Sequence, residues 1–353
     1  SAARLHNGNF ILGSISHGIL VLNEKGKIIY SISQSTGLGD NTVLAIFEDA
    51  DNNVWLGLDN GIDCINLTSP IRIYYDEDGV LGTIYSSIVY EKSLYLGTNQ
   101  GLFVRPLEGK GKLELIPNTQ GQVWTLQEIN GVLFCGHNNG TFIVKDASVK
   151  RISAESGTWL LKEIPNQPNL LIQGNYNGLN ILEFKNGIYT FRNKIEGFDI
   201  SSRYFSFVNP QHVLVSHEYK GVFHVLLDEE YKSATQFYED TTTVKASKSS
   251  LIKHQGEILY AYNKGIFKYD VDAERFTRDS IYSTLFNENS YTSGKLVSEK
   301  STNTLWAFSQ DNLSYANSGT LSRIPVFDKI ELPSNLRNDL TGFENINHIN
   351  NDT

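Results

Sequence analysis

A degenerate repeat of about forty residues runs through the chain and limits its possible folds more than any other feature. Each copy contains a short apolar strand, a glycine, a polar turn and a closing residue that leads into another strand. The intervals between closing residues are 43, 40, 39, 38, 43, 44 and 47 residues, at Gly18, Gly61, Gly101, Gly140, Gly178, Gly221, Gly265 and Asn312. One such unit cannot bury its faces alone, so we expect neighbouring units to stack into one repeat structure.

The clearest copy, residues 41–66, shows what each unit is made of. TVLAIFED, VWLGL and GIDCINL have the apolar character of strands, polar turns separate them, and IRIYYD supplies a fourth strand. Four antiparallel strands per unit are typical of a propeller blade. The sequence therefore predicts an all-β fold, a seven-bladed β-propeller of four-stranded antiparallel blades, with flanking partial blades from a tandem propeller.

The second strand and its turn carry residues with expected structural roles. Asn60-Gly61 is the residue pair that supplies positive φ most cheaply in a two-residue hairpin. Trp55 and Trp306 occupy the second strand of their units, and we expect both rings to be wedged between neighbouring blades.

Domain boundaries follow from counting units. Residues 36–328 hold seven complete units, residues 1–33 form a nearly complete further blade, and residues 329–353 start another. An alternative boundary lies near residues 76–82, with two blades of a preceding propeller before it. Both ends look cut, and the sequence leaves open which units close the ring.

Composition excludes some functions. The chain has 39 acidic and 30 basic residues, a net charge of −9, and no cluster of Lys and Arg, so we expect it to bind no nucleic acid. Cys64 and Cys135 lie in non-adjacent repeats, and buried free thiols are expected for both. No apolar run reaches the roughly 20 residues of a membrane helix, so anchoring to a membrane is expected only through parts outside this chain.

Signatures of catalysis and of metal binding are missing from the sequence. There is no S-x-D-x-G-x-T-W box of sialidase-type propellers and no G-x-S-x-G elbow, and the eight histidines show no H-E-x-x-H spacing. The acidic turn at Asp49 and Asp51 fits no calcium loop. We therefore expect no enzyme activity, no metal and no cofactor.

Residues 37–66 resemble the two-component regulator propeller repeat. The shared features are a Gly-Leu lead, an Asn before the inner strand, an acidic turn and a W-L-G-x-x-x-G-[LI] block, at Gly37, Leu38, Asn41, Glu48, Asp49, Asp51, Trp55, Leu56, Gly57, Gly61 and Ile62. The family pattern is two tandem seven-bladed propellers in the periplasm, an immunoglobulin-like domain, a transmembrane helix, and then a cytoplasmic histidine kinase or helix-turn-helix domain.

This resemblance implies a ligand-sensing propeller in the periplasm, the extracytoplasmic part of an inner-membrane regulator of transcription or signal transduction. An oligosaccharide from polysaccharide breakdown is the ligand class it favours, with another small molecule as the broader expectation. The alternatives are a protein-interaction scaffold without a small-molecule ligand and, more weakly, a glycan-processing enzyme. Homodimerisation, through the propeller or through domains outside this chain, is left open.

Propeller topology predicts one binding face. If the first strand of each blade crosses from one face to the other, the turn between its second and third strands returns to the starting face. The first strands begin with Tyr85, Trp124, Trp159, Arg203, Tyr204 and Tyr291, and the turns carry His137, Asn138, Asn175, Tyr176, His217 and Glu218. Aromatic rings beside polar groups suit a sugar, although the same rings could fill the channel as core.

Overall fold

The computed structural model describes residues 1–68, 79–107, 112–299, 301–318, 324–332 and 344–347. These residues form thirty-one β-strands and three short 3-10 helices, and no α-helix occurs among them. The chain divides into two compact units, Ser1–Gly82 and Thr83–Thr353.

The first unit consists of two antiparallel sheets that pack around one apolar core. Sheet 1 is β1 (Ala2–Arg4), β2 (Phe10–Gly13), β3 (Ile19–Leu22) and β4 (Ile28–Ile32), and sheet 2 is β5 (Val43–Glu48), β6 (Asn53–Leu58) and β7 (Gly61–Asn66). A 3-10 turn spans Gln34–Thr36. Ile11 and Ile19 of sheet 1 meet Val54 and Leu56 of sheet 2 in the core. The predicted fourth strand, IRIYYD, lies outside the described residues.

The second unit consists of six four-stranded sheets, and in each of them the strands follow one another in chain order. Sheet 3 contains β8 (Ile84–Tyr90), β9 (Ser93–Thr98), β10 (Leu102–Pro106) and β11 (Glu114–Leu115), and sheet 4 contains β12 (Val123–Ile129), β13 (Val132–His137), β14 (Gly140–Lys145) and β15 (Ser148–Ser153). Sheet 5 contains β16 (Leu160–Ile164), β17 (Gln167–Asn175), β18 (Gly178–Lys185) and β19 (Ile188–Lys194), and sheet 6 contains β20 (Tyr204–Asn209), β21 (His212–His217), β22 (Gly221–Leu227) and β23 (Ala234–Glu239). Sheet 7 contains β24 (Ser250–His254), β25 (Glu257–Tyr262), β26 (Gly265–Asp270) and β27 (Arg275–Arg278), and sheet 8 contains β28 (Tyr291–Glu299), β29 (Thr304–Ser309), β30 (Asn312–Asn317) and β31 (Val326–Glu331). Two 3-10 helices, Tyr282–Leu285 and Glu288–Ser290, precede β28.

The core of the second unit lies between consecutive sheets. One apolar cluster joins each sheet of this unit to the next, from sheet 3 to sheet 8. Between sheets 4 and 5, for example, Phe134 packs with Leu161, Leu171, Leu182 and Tyr189. The predicted all-β propeller fold of antiparallel blades is thus confirmed, whereas closure of the ring by seven blades stays a prediction.

The first strands of these six sheets surround one cavity of about 1040 Å³. Side chains link neighbouring first strands across their open edges. Gln127 donates from Nε2 to the Leu161 carbonyl at 3.1 Å and accepts from the Leu161 N–H at 2.7 Å. Asn345 donates from Nδ2 to the Tyr85 carbonyl at 2.9 Å, so the described residues 344–347 lie against β8. The cavity is therefore the central channel of a propeller.

Three predictions about domains remain predictions. The division at Gly82 falls beside the alternative boundary near residues 76–82, but residues 69–78 are not described. The seven predicted repeats end at residue 328, but β31 extends from Val326 to Glu331. Most of residues 329–353 lies outside the described part of the chain. The partial blade at residues 1–33 corresponds to sheet 1.

The turn glycines differ from the prediction in one respect. The two-residue loops lie before the closing glycine, since His137 pairs with Gly140, and only the glycine has positive φ, +136°. A Cβ at Gly140 would lie 2.1 Å from the Ser153 carbonyl oxygen. Glycine is therefore required for close approach of the fourth strand, not for the loop itself.

Two predicted burials are wrong in sheet 2. Trp55 is 43% exposed and Cys64 is exposed, whereas Cys135 is buried and its burial raises the pKa of its thiol to about 12. Phe47, Trp55 and Cys64 are cross-strand neighbours on one face of sheet 2. On this face the Trp55 indole donates to Asp49 Oδ2 at 2.9 Å. Trp306 is half-buried, against Tyr315.

Candidate functional site

A row of aromatic side chains lies where the first strands of sheets 3 to 6 begin. The ring centroids of Tyr85 and Trp124 are 4.7 Å apart, and those of Trp124 and Trp159 are 4.6 Å apart. The Arg203 guanidinium continues the row, 5.3 Å from the Trp159 centroid and 5.2 Å from that of Tyr204. We call these five residues the aromatic row; all five are half-buried.

Local backbone irregularities aim the first two rings. The β8–β9 register shifts between Ile84 and Ser86, and the β12–β13 register shifts between Val123 and Thr125. Tyr85 and Trp124 are the extra residues at these shifts. A bulge bends its strand and redirects the side chain of the unpaired residue, so both rings leave the regular alternation of the sheet. Sequence alternation alone could not reveal this.

Hydrogen bonds hold the indole rings in place. Trp124 donates from Nε1 to the Tyr176 hydroxyl at 2.7 Å, and Trp159 donates from Nε1 to Ser201 Oγ at 3.2 Å. The Tyr176 ring also meets Trp159 edge-on at 5.3 Å. Burial raises the pKa of Tyr176, so its phenol keeps a proton that it can donate at neutral pH. Ser201 is a site residue that the sequence analysis missed.

The cationic end of the row is paired. Arg203 forms an ion pair with Glu218, which comes from the turn between β21 and β22. His217 precedes it and accepts the Tyr219 N–H at Nδ1 at 3.1 Å. Burial, followed by the charge of Lys220, lowers the pKa of His217, so its imidazole is neutral at pH 7. The exposed Tyr219 ring lies in the same turn.

Several predicted contact residues serve the fold instead. His137 and Asn175 are only 2% and 1% exposed. His137 Nε2 lies 3.1 Å from the Thr119 carbonyl oxygen, and Asn175 Nδ2 donates to Thr158 Oγ1 at 3.0 Å. Their polar atoms are thus used inside the protein, which argues against direct ligand contact by either residue.

Asn138 and Tyr291 are engaged in a similar way. Asn138 Oδ1 accepts the Gln122 N–H at 3.1 Å, which ties the turn after β13 to the start of β12. This contact places the turn on the face where the first strands begin, as topology predicts. The Tyr291 hydroxyl donates to the Lys248 carbonyl at 2.5 Å, and burial raises its pKa.

No group of three or more His, Cys, Asp or Glu side chains converges within the described residues. What the row offers is a set of π faces beside donors from Arg203 and Tyr176. Such a surface can stack a flat apolar ligand face and take hydrogen bonds at its edge.

Buried histidines predict how stability depends on pH. Burial lowers the pKa of His137, His212 and His254, so the folded protein keeps them neutral. Below an unfolded-state pKa of about 6.5, the unfolded chain binds protons that the folded chain does not. We expect the free energy of unfolding, and with it the urea midpoint, to fall between pH 7.5 and pH 5.5. For each histidine the loss of free energy is at most about 1.4 kcal/mol per pH unit.

The measurement is urea unfolding followed by circular dichroism at both pH values. His254→Asn should reduce the pH dependence, because it removes one of these groups. Equal midpoints at pH 7.5 and pH 5.5 for the unaltered protein would contradict the prediction.

Comparisons with known proteins agree with this architecture. Residues 37–60 match the family model described as two component regulator propeller. No curated protein is similar to the chain at a significant level. The extracellular domain of BT4673 from B. thetaiotaomicron is similar in structure, with a TM-score of 0.51 and 15% identity over 94% of this chain. The match covers 47% of that domain, so this chain spans about half of its length.

Two other solved structures match with lower TM-scores. The WD40 propeller domain of Doa1 matches with a TM-score of 0.45 and 13% identity, over 93% of this chain and 91% of that one. Virginiamycin B lyase from Staphylococcus aureus matches with a TM-score of 0.49 and 12% identity, over 71% and 84%. At these values neither match bears on function.

Within the described residues, no helix has the length and apolar character needed to cross a membrane. The chain is therefore a β-propeller protein that carries a repeat of the two-component regulator propeller family.

Proposed function

We propose that this chain is the ligand-sensing propeller of a bacterial signal-transduction regulator and that its ligand is an oligosaccharide. The regulator repeat at residues 37–60 supports the sensor role. In the family pattern such propellers lie in the periplasm and control transcription, and we propose both for this protein. BT4673, similar in fold, is itself an extracellular domain, described as belonging to a one-component system.

The aromatic row is the observation that carries the carbohydrate proposal. Its rings are half-buried, so each keeps part of its surface in solvent at the mouth of the channel. The apolar face of a pyranose stacks on such rings, while its hydroxyls need donors and acceptors at the ring edges. Arg203, Glu218 and Tyr176 supply these groups beside Trp124 and Trp159.

Thermal-shift screening against a panel of neutral and acidic oligosaccharides tests this function. A ligand that binds only the folded state stabilises it by about 2.7 kcal/mol at a concentration of 100 times Kd, which raises Tm. We expect at least one class of oligosaccharide to raise Tm in a concentration-dependent manner. No shift across the whole panel would contradict carbohydrate sensing.

A second function, a protein-interaction scaffold, is favoured by one observation. The face of sheet 2 that carries Phe47, Trp55 and Ile62 is apolar and exposed. At the position equivalent to Trp55, Phe134 of sheet 4 is 0% exposed because sheet 5 packs on it. The partner that this face fits is therefore another propeller-type sheet. Trp55→Lys should abolish such an association in analytical ultracentrifugation and leave any oligosaccharide shift intact.

A further inference from the structure

The central channel carries positive charge directly below the aromatic row. Lys162, Lys253 and Lys295 line the cavity together with the exposed carboxylates Glu128 and Glu163. Both carboxylates have partners in the fold. Glu128 Oε1 accepts the Gly131 N–H at 2.6 Å, and Glu163 Oε1 accepts from Asn130 Nδ2 at 3.0 Å. The three lysines outnumber the two carboxylates, so the net charge of this lining is positive, whereas the net charge of the whole chain is −9.

Two of these lysines converge on one strand. Lys162 Nζ donates to the Phe205 carbonyl at 2.6 Å, and Lys253 Nζ donates to the Phe207 carbonyl at 3.2 Å. Phe205 and Phe207 are two residues apart in β20, which places their carbonyls about 7 Å apart. The two ammonium groups lie beside the same strand, and a charge-assisted hydrogen bond from either would stabilise a bound carboxylate.

A buried hydroxyl lies between the two carbonyls in sequence. Ser206 lines the same cavity and is 1% exposed. Among the described residues its Oγ has no hydrogen-bond partner. An unsatisfied buried hydroxyl costs stability, so a ligand atom that accepts its proton would be favoured there.

Comparison of successive sheets shows that the charge of Lys162 is not needed for packing. In sheet 4, Thr125 pairs with Gly136, and Gln127 follows Thr125 by two residues. In sheet 5, Leu160 pairs with Gly174, and Lys162 follows Leu160 by two residues. Gln127 and Lys162 therefore occupy equivalent positions in the two sheets. At this position the neutral Gln127 already links its strand to the next through both Nε2 and Oε1 of its amide group. An uncharged side chain therefore suffices for the structural contact, and lysine adds a cation to the cavity.

We propose that Lys162, Lys253 and Ser206 form an anion site that takes the carboxylate of an acidic sugar whose ring stacks on the aromatic row. Trp159 precedes Lys162 by three residues, and Tyr204 lines both the row and the cavity, so the two surfaces are continuous. The sugar part of this inference rests on the proposed function, whereas the anion site does not.

The test compares acidic sugars with their uncharged forms. D-galacturonate and D-glucuronate, their methyl esters, and inorganic sulfate are titrated into the whole chain by calorimetry. We expect uronates to bind about 10- to 100-fold more tightly than their esters, the range of one charge-assisted hydrogen bond. Lys162→Gln should remove this preference, because glutamine keeps the link to β20 but carries no charge. Lys150→Gln, on the exposed fourth strand of sheet 4, is the matched control.

One further variant and the comparison of ligands distinguish a failure of this inference from a failure of the proposed function. Ser206→Ala breaks no hydrogen bond within the described protein, so it should weaken uronate binding without lowering Tm. Equal binding of uronates and esters, or an unchanged preference in Lys162→Gln, overturns the anion site and leaves sugar sensing standing. Binding of sulfate alone, lost in Lys162→Gln, upholds the anion site and rejects the sugar. Binding of neither anion overturns the site altogether.

Discussion

Replacing Gly178 with alanine should lower the free energy of unfolding of the Thr83–Thr353 unit by about 3–5 kcal/mol, which is unusually large for one methyl group. Gly178 opens β18 with a φ of +99°. A Cβ there would lie 2.0 Å from the Phe198 carbonyl oxygen, a backbone atom that cannot rotate away. The left-handed conformation adds about 1–2 kcal/mol for any residue with a Cβ.

Gly187 of the same sheet is the matched control. Its φ is +80°, but a Cβ at Gly187 would meet no atom within 4 Å. Gly187→Ala should therefore cost only the conformational strain, about 1–2 kcal/mol. Urea unfolding of both variants, followed by tryptophan fluorescence, measures the difference. Equal losses for the two variants would show that close approach of Phe198 is not what requires glycine.

These glycines also explain why the architecture could be predicted. Gly140 and Gly178 have the same role in neighbouring sheets, since each lets a backbone carbonyl of the outer edge approach within about 2 Å of where a Cβ would be. Gly18 has the same role in sheet 1, where a Cβ would lie 2.1 Å from the Ile32 carbonyl oxygen, whereas at Gly61 the positive φ of +108° alone favours glycine. The propeller fold follows from that repetition.

The environment of a repeated position could not be predicted in the same way. Trp55 and Phe134 occupy equivalent positions, yet one is exposed and the other is completely buried. Burial depends on whether another sheet packs on that face, which is a property of the assembled units and not of the local pattern. The expected burial of Trp55 was wrong for this reason.

The candidate site was predictable in part. Strand starts and turn residues placed the indoles of Trp124 and Trp159 next to each other, and their centroids are 4.6 Å apart. Bulges at Tyr85 and Trp124, and the inward hydrogen bonds of His137, depend on backbone register and tertiary packing. These are not encoded in residue type alone. Which residues bind a ligand stays a prediction.

Loss of the Trp159 ring is expected to have the largest effect on binding. Trp159 lies at the centre of the aromatic row, between Trp124 and Arg203, and central aromatic anchors cost about 2 kcal/mol or more when truncated. Trp159→Ala should therefore weaken oligosaccharide binding at least about 30-fold. Trp159→Phe keeps a stacking face but loses the bond to Ser201, so its loss should be smaller.

Stability separates a ligand anchor from a core residue. Complete burial would make truncation cost about 3–5 kcal/mol, whereas a half-buried ring should cost less than that. Trp306→Ala is the control, since Trp306 is also half-buried but belongs to sheet 8, outside the row. Calorimetric titration and urea unfolding of the three variants give both quantities. If Trp159→Ala lost stability like a core residue and kept its affinity for the oligosaccharide, the rings would be filling the channel, and the ligand would have to bind elsewhere.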